Sequence, residues 1–88
     1  MNIYFSQEFI KNYRKITKKN TSLKERVKIS LSIFKANPRH PSLRLHRLKG
    51  KMVEDWSISI KSDLRIVFTY VSGGILLVDI GNHKEVYK

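Results

Sequence analysis

The stretch WSISIK, from Trp56 to Lys61, is the feature that most constrains the fold of this chain. Its apolar and polar side chains alternate with a period of two, which is typical of a β-strand with one buried face. Residues 64–71 and 75–80 predict two more strands, and the turn at 72–74, with its two glycines, joins them. Three consecutive antiparallel strands with one covered face are therefore predicted for the second half of the chain.

The two faces of these strands predict their register. We expect Lys61 to pair with Arg65 and Val71 with Ile75, because a slip of one residue would turn every side chain over. This register gathers nine apolar residues on the covered face: Trp56, Ile58, Ile60, Ile66, Phe68, Tyr70, Leu76, Val78 and Ile80. The opposite face is expected to be open and partly polar, with Ser57, Ser59, Lys61, Arg65, Val67, Thr69, Leu77 and Asp79.

One end of the predicted sheet gathers groups suited to chemistry. The register sets Arg65 across from Gly81, and His83 follows two residues later. Strand spacing then separates the backbones of Arg65 and His83 by roughly 6–8 Å, within reach of one phosphate. A glycine at this point leaves space for a ligand to approach the sheet. With Tyr87 close behind, a cation, an imidazole and an aromatic ring are expected around one rim.

The first half of the chain has helical spacing. Residues 2–5 predict a short strand, and a helix over 6–18 follows, capped by the serine at its start. Ser22 and Glu25 match the S-x-x-E capping box of a second helix. Pro38 ends that helix, because the residue before a proline avoids helical angles.

Together these elements predict one α+β domain that spans residues 1–88. Two antiparallel N-terminal helices are expected to pack on one face of a roughly four-stranded antiparallel sheet, with Ile3 and Phe5 in an edge strand. About 41% of the residues are hydrophobic, which is enough for one small core and excludes a disordered basic tail.

The charge of the chain indicates its partners. Eighteen Lys and Arg residues against seven Asp and Glu give a formal net charge of +11 at pH 7. Such an excess attracts polyanions, nucleic acid first and then acidic proteins or anionic membrane surfaces. The chain lacks cysteine, which suits a reducing cytosol. No apolar run is long enough for a membrane span and the N-terminus lacks a signal-peptide pattern, so neither is expected.

Motifs for metal, nucleotide and serine-hydrolase chemistry are missing from the sequence. The segment RHPSLRLHRLKGK, at 39–51, combines cations that suit polyphosphate with two histidines. A solvated basic loop explains the same segment equally well. Arg65, within a strand, either binds a phosphate or pairs structurally with Asp63 or Asp79. Composition and spacing leave a phosphodiester site and these structural explanations both open.

Three stretches, LHRLKGK, DWSISIKSDLRIVFTY and VDIGNHKEVY, resemble the RelE/ParE superfamily of toxins from bacterial type II toxin–antitoxin systems. The last stretch is similar to the ending of RelE-, YoeB- and YafQ-like members. This resemblance implies a RelE-like fold and a ribosome-dependent mRNA endoribonuclease that needs neither a metal nor a small-molecule cofactor. In such enzymes the 2′-hydroxyl of a nucleotide attacks the adjacent phosphate, which leaves a cyclic phosphate and a free 5′-hydroxyl.

The resemblance also implies roles for individual residues. Arg65 neutralises the phosphate and His83 is the general acid. Tyr87 stacks on or orients the mRNA base, and His46 is the candidate general base. The chain departs from YafQ-like members where Ser59 or a neighbour replaces a further histidine. Contacts to RNA phosphates are expected from five further cations: Arg44, Arg47, Lys49, Lys51 and Lys61.

The implied partners are mRNA, the ribosome with its 16S rRNA, and a cognate acidic antitoxin whose partly disordered segment folds on binding. The implied location is the cytoplasm. Two other functions stay open from the sequence. One is a ParE-like toxin that inhibits DNA gyrase without nuclease activity, and the other is a plain basic nucleic-acid-binding module.

Overall fold

Two helices and a five-stranded sheet form the protein in the computed structural model, which describes residues 1–48 and 55–82. The predicted α+β class is confirmed, with one strand more than the four expected. In chain order the elements are β1 (Asn2–Phe5), α1 (Gln7–Thr17), α2 (Thr21–Ala36), a single 3₁₀ turn (Pro41–Leu43), β2 (His46–Arg47), β3 (Asp55–Lys61), β4 (Leu64–Val71) and β5 (Gly74–Gly81).

The sheet is mixed, in the order β1-β5-β4-β3-β2. The expected antiparallel arrangement holds for β2 to β5, but β1 pairs in parallel with β5, from Asn2 opposite Gly74 to Phe5 opposite Leu77. The close approach of β1 depends on a missing side chain. A Cβ at Gly74 would lie 1.9 Å from the carbonyl oxygen of Asn2, so only glycine fits there.

Side-chain caps define where the helices begin. The Ser6 hydroxyl accepts a hydrogen bond from the Phe9 amide at 3.0 Å, as predicted. The predicted capping box at Ser22 and Glu25 is wrong. The side chain of Asn20 caps α2 instead, accepting from the Leu23 amide at 3.0 Å. Both asparagine and serine are strong N-cap residues, and the one nearer the preceding helix takes the position.

The core lies between the helices and one face of the sheet. Phe34 of α2 and Phe68 of β4 are both fully buried, and their rings meet edge to face with centroids 4.9 Å apart. This geometry is the favoured one for aromatic pairs. The remaining members of the core are Phe9, Leu23, Val27, Leu43, Ile58, Ile60, Leu64, Ile66, Ile75, Leu77 and Ile80.

No helix within residues 1–48 and 55–82 is long and apolar enough to cross a membrane.

The register between β3 and β4 differs from the predicted one by two residues. Trp56 pairs with Phe68 and Ile58 with Ile66, where Tyr70 and Phe68 were expected. An even shift leaves each side chain on its predicted face. An irregularity between Ser59 and Lys61 accommodates the difference.

A β-bulge in β5 overturns the predicted face of its first half. Phe68 pairs with Leu77 and Val67 with Asp79, so Val78 has no partner in the ladder. Because the extra residue changes the alternation, Ile75 and Leu77 enter the core, at 1% and 0% exposure. The prediction had placed Leu76 and Val78 there and Leu77 on the open face. After the bulge the predicted register returns, and Arg65 pairs with Gly81 as expected.

The second face of the sheet is less open than predicted. Ser57 and Val67, both assigned to it, are buried at 0% and 4% exposure.

The observed cap predicts the effect of two neighbouring substitutions. Asn20→Ala should lower the free energy of unfolding by about 1 kcal/mol, because the first turn of α2 loses its side-chain acceptor. The melting temperature of a domain this size should fall by roughly 4–8 °C. Ser22→Ala should stay within about 0.5 kcal/mol of the unmodified protein. Urea unfolding followed by circular dichroism measures both, and an equal loss in Ser22→Ala would contradict the assignment.

Candidate functional site

Arg65, on β4, is held by two hydrogen bonds to uncharged oxygens. Its Nε donates to the Oγ of Ser57 at 3.0 Å, and one Nη donates to the main-chain carbonyl of Arg44 at 2.9 Å. The two acceptors come from different parts of the fold, β3 and the loop that follows the 3₁₀ turn. The guanidinium plane is therefore fixed while its positive charge stays unneutralised by these partners.

The two carboxylates considered as structural partners for Arg65 are engaged elsewhere. Asp63, in the exposed β3–β4 turn, lies 3.6 Å from the Nζ of Lys61. Asp79 accepts from the side-chain amide of Asn12 at 2.7 Å. Within residues 1–48 and 55–82, Arg65 forms no ion pair, so the structural ion-pair hypothesis has no support there. An arginine without a counter-ion on a protein surface is suited to bind an anionic ligand.

The loop before β2 presents the Arg44 carbonyl through an unusual backbone conformation. Arg44 has φ 47° and ψ 52°, which is left-handed, and it directly follows the 3₁₀ turn. The Ser42 amide donates to Nδ1 of His40 at 3.2 Å, so this imidazole caps the turn. Sequence analysis had assigned the Arg44 side chain to phosphate and had given His40 no role of its own. Neither the carbonyl contact nor the cap has a signature in residue type.

His46 lies on the same face of the sheet as Arg65. It is exposed, and its Cα partner across the β2–β3 ladder is Ser57, the residue that binds Arg65. The Cα atoms of His46 and Arg65 are about 12 Å apart, because β2 and β4 are two strand spacings apart and the two residues are offset by two positions along the strands. A single nucleotide spans this gap once the long arginine side chain is counted. The structure thus brings the predicted base and the predicted cation together.

Two of the predicted phosphate-binding cations lie elsewhere in the fold. Arg47 pairs with Trp56, whose ring belongs to the helix-covered side, so alternation directs Arg47 away from His46. Lys61 is exposed at the end of β3 and forms the ion pair with Asp63.

Four predicted site residues lie outside the described residues: His83, Tyr87, Lys49 and Lys51. Their roles stay sequence-based predictions. β5 ends at Gly81, directly opposite Arg65.

Ser57 is the residue of this site that sequence analysis missed. Its place in the alternating stretch WSISIK assigned it to an open face, whereas it is buried and hydrogen-bonded to Arg65. No cluster of three or more His, Cys, Asp or Glu side chains suited to a metal ion occurs in the part of the chain that the structure describes. What the described residues offer is one oriented cation beside one exposed imidazole.

Solved structures share this fold over nearly their whole length. The crystal structure of YafQ from E. coli strain BL21(DE3) matches with a TM-score of 0.80 at 15% identity, covering 99% of this chain and 98% of that one. YafQ in the E. coli DinJ–YafQ complex matches with a TM-score of 0.79 at 15% identity, covering 99% and 98%. A metal-bound toxin from Helicobacter pylori matches with a TM-score of 0.78 at 26% identity, covering 98% of both chains.

A search of curated proteins by sequence gives no significant match. The family model described as the bacterial toxin of a type II toxin–antitoxin system, YafQ, matches residues 1–88. This match covers the whole chain, and the fold agrees with it. The protein therefore belongs to the YafQ family of type II toxins.

Proposed function

We propose that this toxin is a ribosome-dependent mRNA endoribonuclease that cleaves by attack of the 2′-hydroxyl on the adjacent phosphate. The observation that carries the proposal is the Arg65 guanidinium. It is fixed by uncharged oxygens, has no described counter-ion, and shares a face with the exposed imidazole of His46. Cleavage of a phosphodiester requires such a cation and a proton acceptor close to each other.

The chemistry needs three functions besides substrate binding. His46 takes the proton from the 2′-hydroxyl as the bond from O2′ to phosphorus forms. Arg65 stabilises the extra negative charge of the pentacovalent phosphorane. His83 gives a proton to O5′ as the bond from phosphorus to O5′ breaks, so that a cyclic phosphate and a 5′-hydroxyl result. These steps consume no external reagent and need no metal.

Substrate positioning is assigned to the remaining predicted residues. Tyr87 stacks on the mRNA base, and Arg44, Lys49 and Lys51 contact RNA phosphates. The net charge of +11 supports attraction to ribosomal RNA, including 16S rRNA. The protein then acts in the cytoplasm, where translating ribosomes are.

A cognate acidic antitoxin is the second proposed partner. The matched E. coli YafQ structures include a complex with DinJ. In this chain a groove of about 820 Å³ runs between α1 and α2, and its floor includes Phe5, Phe9 and Leu31. Phe5 is 51% exposed despite its apolar ring. An apolar groove of this kind suits the apolar face of an amphipathic helix.

The rim of the same groove specifies the charge of its occupant. Among the described lining residues four are cationic, Arg14, Lys18, Lys24 and Lys28, and Glu25 is acidic. A basic rim around an apolar floor complements an acidic amphipathic helix. We therefore assign this groove to a helical segment of the antitoxin.

Arg65→Ala tests the catalytic proposal. Loss of the phosphorane-stabilising group should slow cleavage by about 10²–10³-fold. The measurement is single-turnover cleavage of mRNA on programmed ribosomes, with circular dichroism to verify folding. Lys11→Ala, which removes one exposed positive charge from α1, is the charge-matched control and should cleave at the normal rate.

Each rival function gives a distinct result in the same experiment, performed on cells that express the unmodified toxin. Intact mRNA together with linear or trapped DNA would establish gyrase inhibition and overturn the nuclease. Absence of toxicity would leave only a nucleic-acid-binding module.

His46→Ala tests the assignment of the general base. If His46 accepts the proton of the 2′-hydroxyl, its loss should slow single-turnover cleavage by about 10²–10⁴-fold. Ribosome affinity, measured by sedimentation, should change little because only one of many contacting side chains is removed. Cleavage at the normal rate would assign the base to another group.

Charge reversal in the groove tests the antitoxin site. Lys24→Glu/Lys28→Glu should weaken binding of the acidic protein encoded by the adjacent gene by at least about tenfold at low salt, since two rim cations become repulsive. The matched control is Lys11→Glu/Lys35→Glu, which makes the same charge change outside the groove, at one position on α1 and one on α2. Isothermal titration calorimetry measures both. Equal weakening by the two pairs would show that binding depends on overall charge and would contradict a groove site.

A further inference from the structure

We propose that the Ser57 hydroxyl and the Arg44 main-chain carbonyl form a clamp that positions Arg65 against the scissile phosphate, on the side of the sheet where His46 lies. The clamp consists of these two oxygen atoms. The inference rests on the proposed nuclease function, and it assigns to Ser57 a positioning role that its sequence context does not indicate.

The direction of the Arg65 side chain is the first observation. The Cα partner of Arg65 on β3 is Ser59, but Arg65 does not bond to that hydroxyl, which donates to the Lys61 carbonyl at 3.2 Å. Arg65 bonds instead to Ser57, two pairs further along the ladder and on the same face of the sheet. The guanidinium is thus drawn along β3 towards β2.

That direction leads to His46. Ser57 is the Cα partner of His46, and residues directly opposite in an antiparallel pair hold their Cβ atoms about 4.5–5.5 Å apart on the same face. Nε of Arg65 lies 3.0 Å from the Ser57 hydroxyl. The clamp therefore moves the cation from its own strand to a place beside the proposed base, where both reach one phosphodiester.

The second observation is the conformation of Arg44. It has φ 47° and is the sole non-glycine residue with positive φ among the described residues. Such conformations are unfavourable for residues with a Cβ and persist where the surroundings require them. Here the left-handed turn aims the Arg44 carbonyl at Arg65.

The third observation concerns the N–H groups of Arg65 that the clamp does not use. An arginine carries five N–H groups, and the clamp uses Nε and one Nη. In residues 1–48 and 55–82 the other Nη has no hydrogen-bond partner, so its two N–H groups remain for phosphate oxygens. Because both clamp oxygens are uncharged, they orient the guanidinium without neutralising it, which a carboxylate partner would do.

The clamp is tested directly by nitrogen-15 NMR of the Arg65 side chain in the free protein. The unmodified protein should show a slowly exchanging Nε–H resonance for Arg65, with an order parameter close to that of the backbone. Ser57→Ala should lose that protection. Ser59→Ala is the matched control, since it removes a hydroxyl from the same strand and the Cα partner of Arg65 without touching the clamp, and the resonance should stay unchanged.

The functional consequence is tested by single-turnover cleavage at saturating ribosome concentration. Misplacement of the cation should slow cleavage by the Ser57→Ala protein by on the order of 10–10²-fold. The ribosome affinity of this variant and the salt dependence of its binding should stay unchanged, because no charge is lost. Ser59→Ala should cleave normally. Ser57→Thr keeps the oxygen and should recover most of the rate, provided that its melting temperature shows the buried methyl group is accommodated.

Arg44→Gly separates the carbonyl from the side chain. Glycine adopts the left-handed conformation readily, so the Arg65 resonance should stay protected although a cation is removed. Loss of protection in this variant, or a Ser57→Ala protein with an ordered Arg65 or an unchanged rate, would overturn the clamp. If Ser57→Ala alone loses protection but the unmodified toxin cuts no mRNA, the placement of Arg65 is supported and the nuclease proposal fails.

Discussion

The β-bulge at Val78 reconciles two demands on the last strand of the sheet. At its start β5 must place Ile75 and Leu77 in the core while pairing with both β1 and β4. At its end it must bring Gly81 opposite Arg65. A strand that alternates strictly with a period of two can meet only one of these two requirements. The one unpaired residue, Val78, switches the face to which the side chains of β5 point, so both the core and the candidate site depend on it.

The parts of the fold that were predictable are those recorded in side-chain patterns. Alternation around Trp56 identified β3, the apolar stripe with Phe9 identified α1, and Pro38 ended α2. The parts that were missed depend on backbone geometry that residue type does not encode. Four residues such as those of β1 do not reveal the direction of their partner, and nothing in the apolar run after Gly74 marks Val78 as the bulge. Asn20 and Ser22 rank as equally good N-cap residues, so residue type alone does not decide between them.

The candidate site likewise combines features that the sequence predicted with features that it did not. The cation at position 65 and the imidazole at position 46 were identified from residue types at family positions, and the structure places them on one face. Their relation could not be predicted, because it passes through a serine hydroxyl and a main-chain carbonyl. Uncharged acceptors have a further advantage in a phosphate site. They fix an arginine without the electrostatic competition that a carboxylate would offer to the incoming anion.

The parallel pairing of β1 with β5 has a consequence for how the chain folds during synthesis. β1 precedes all the other described elements in the chain, yet its sheet partner, residues 74–77, follows both helices and the other strands. Contacts this distant in sequence form late and slowly, because closing the long intervening loop costs entropy before any contact repays it. The sheet, and with it the Arg65–Gly81 end of β5, cannot be completed before β5 has been made. The end of the sheet that holds Arg65 is therefore among the last parts of the described fold to form.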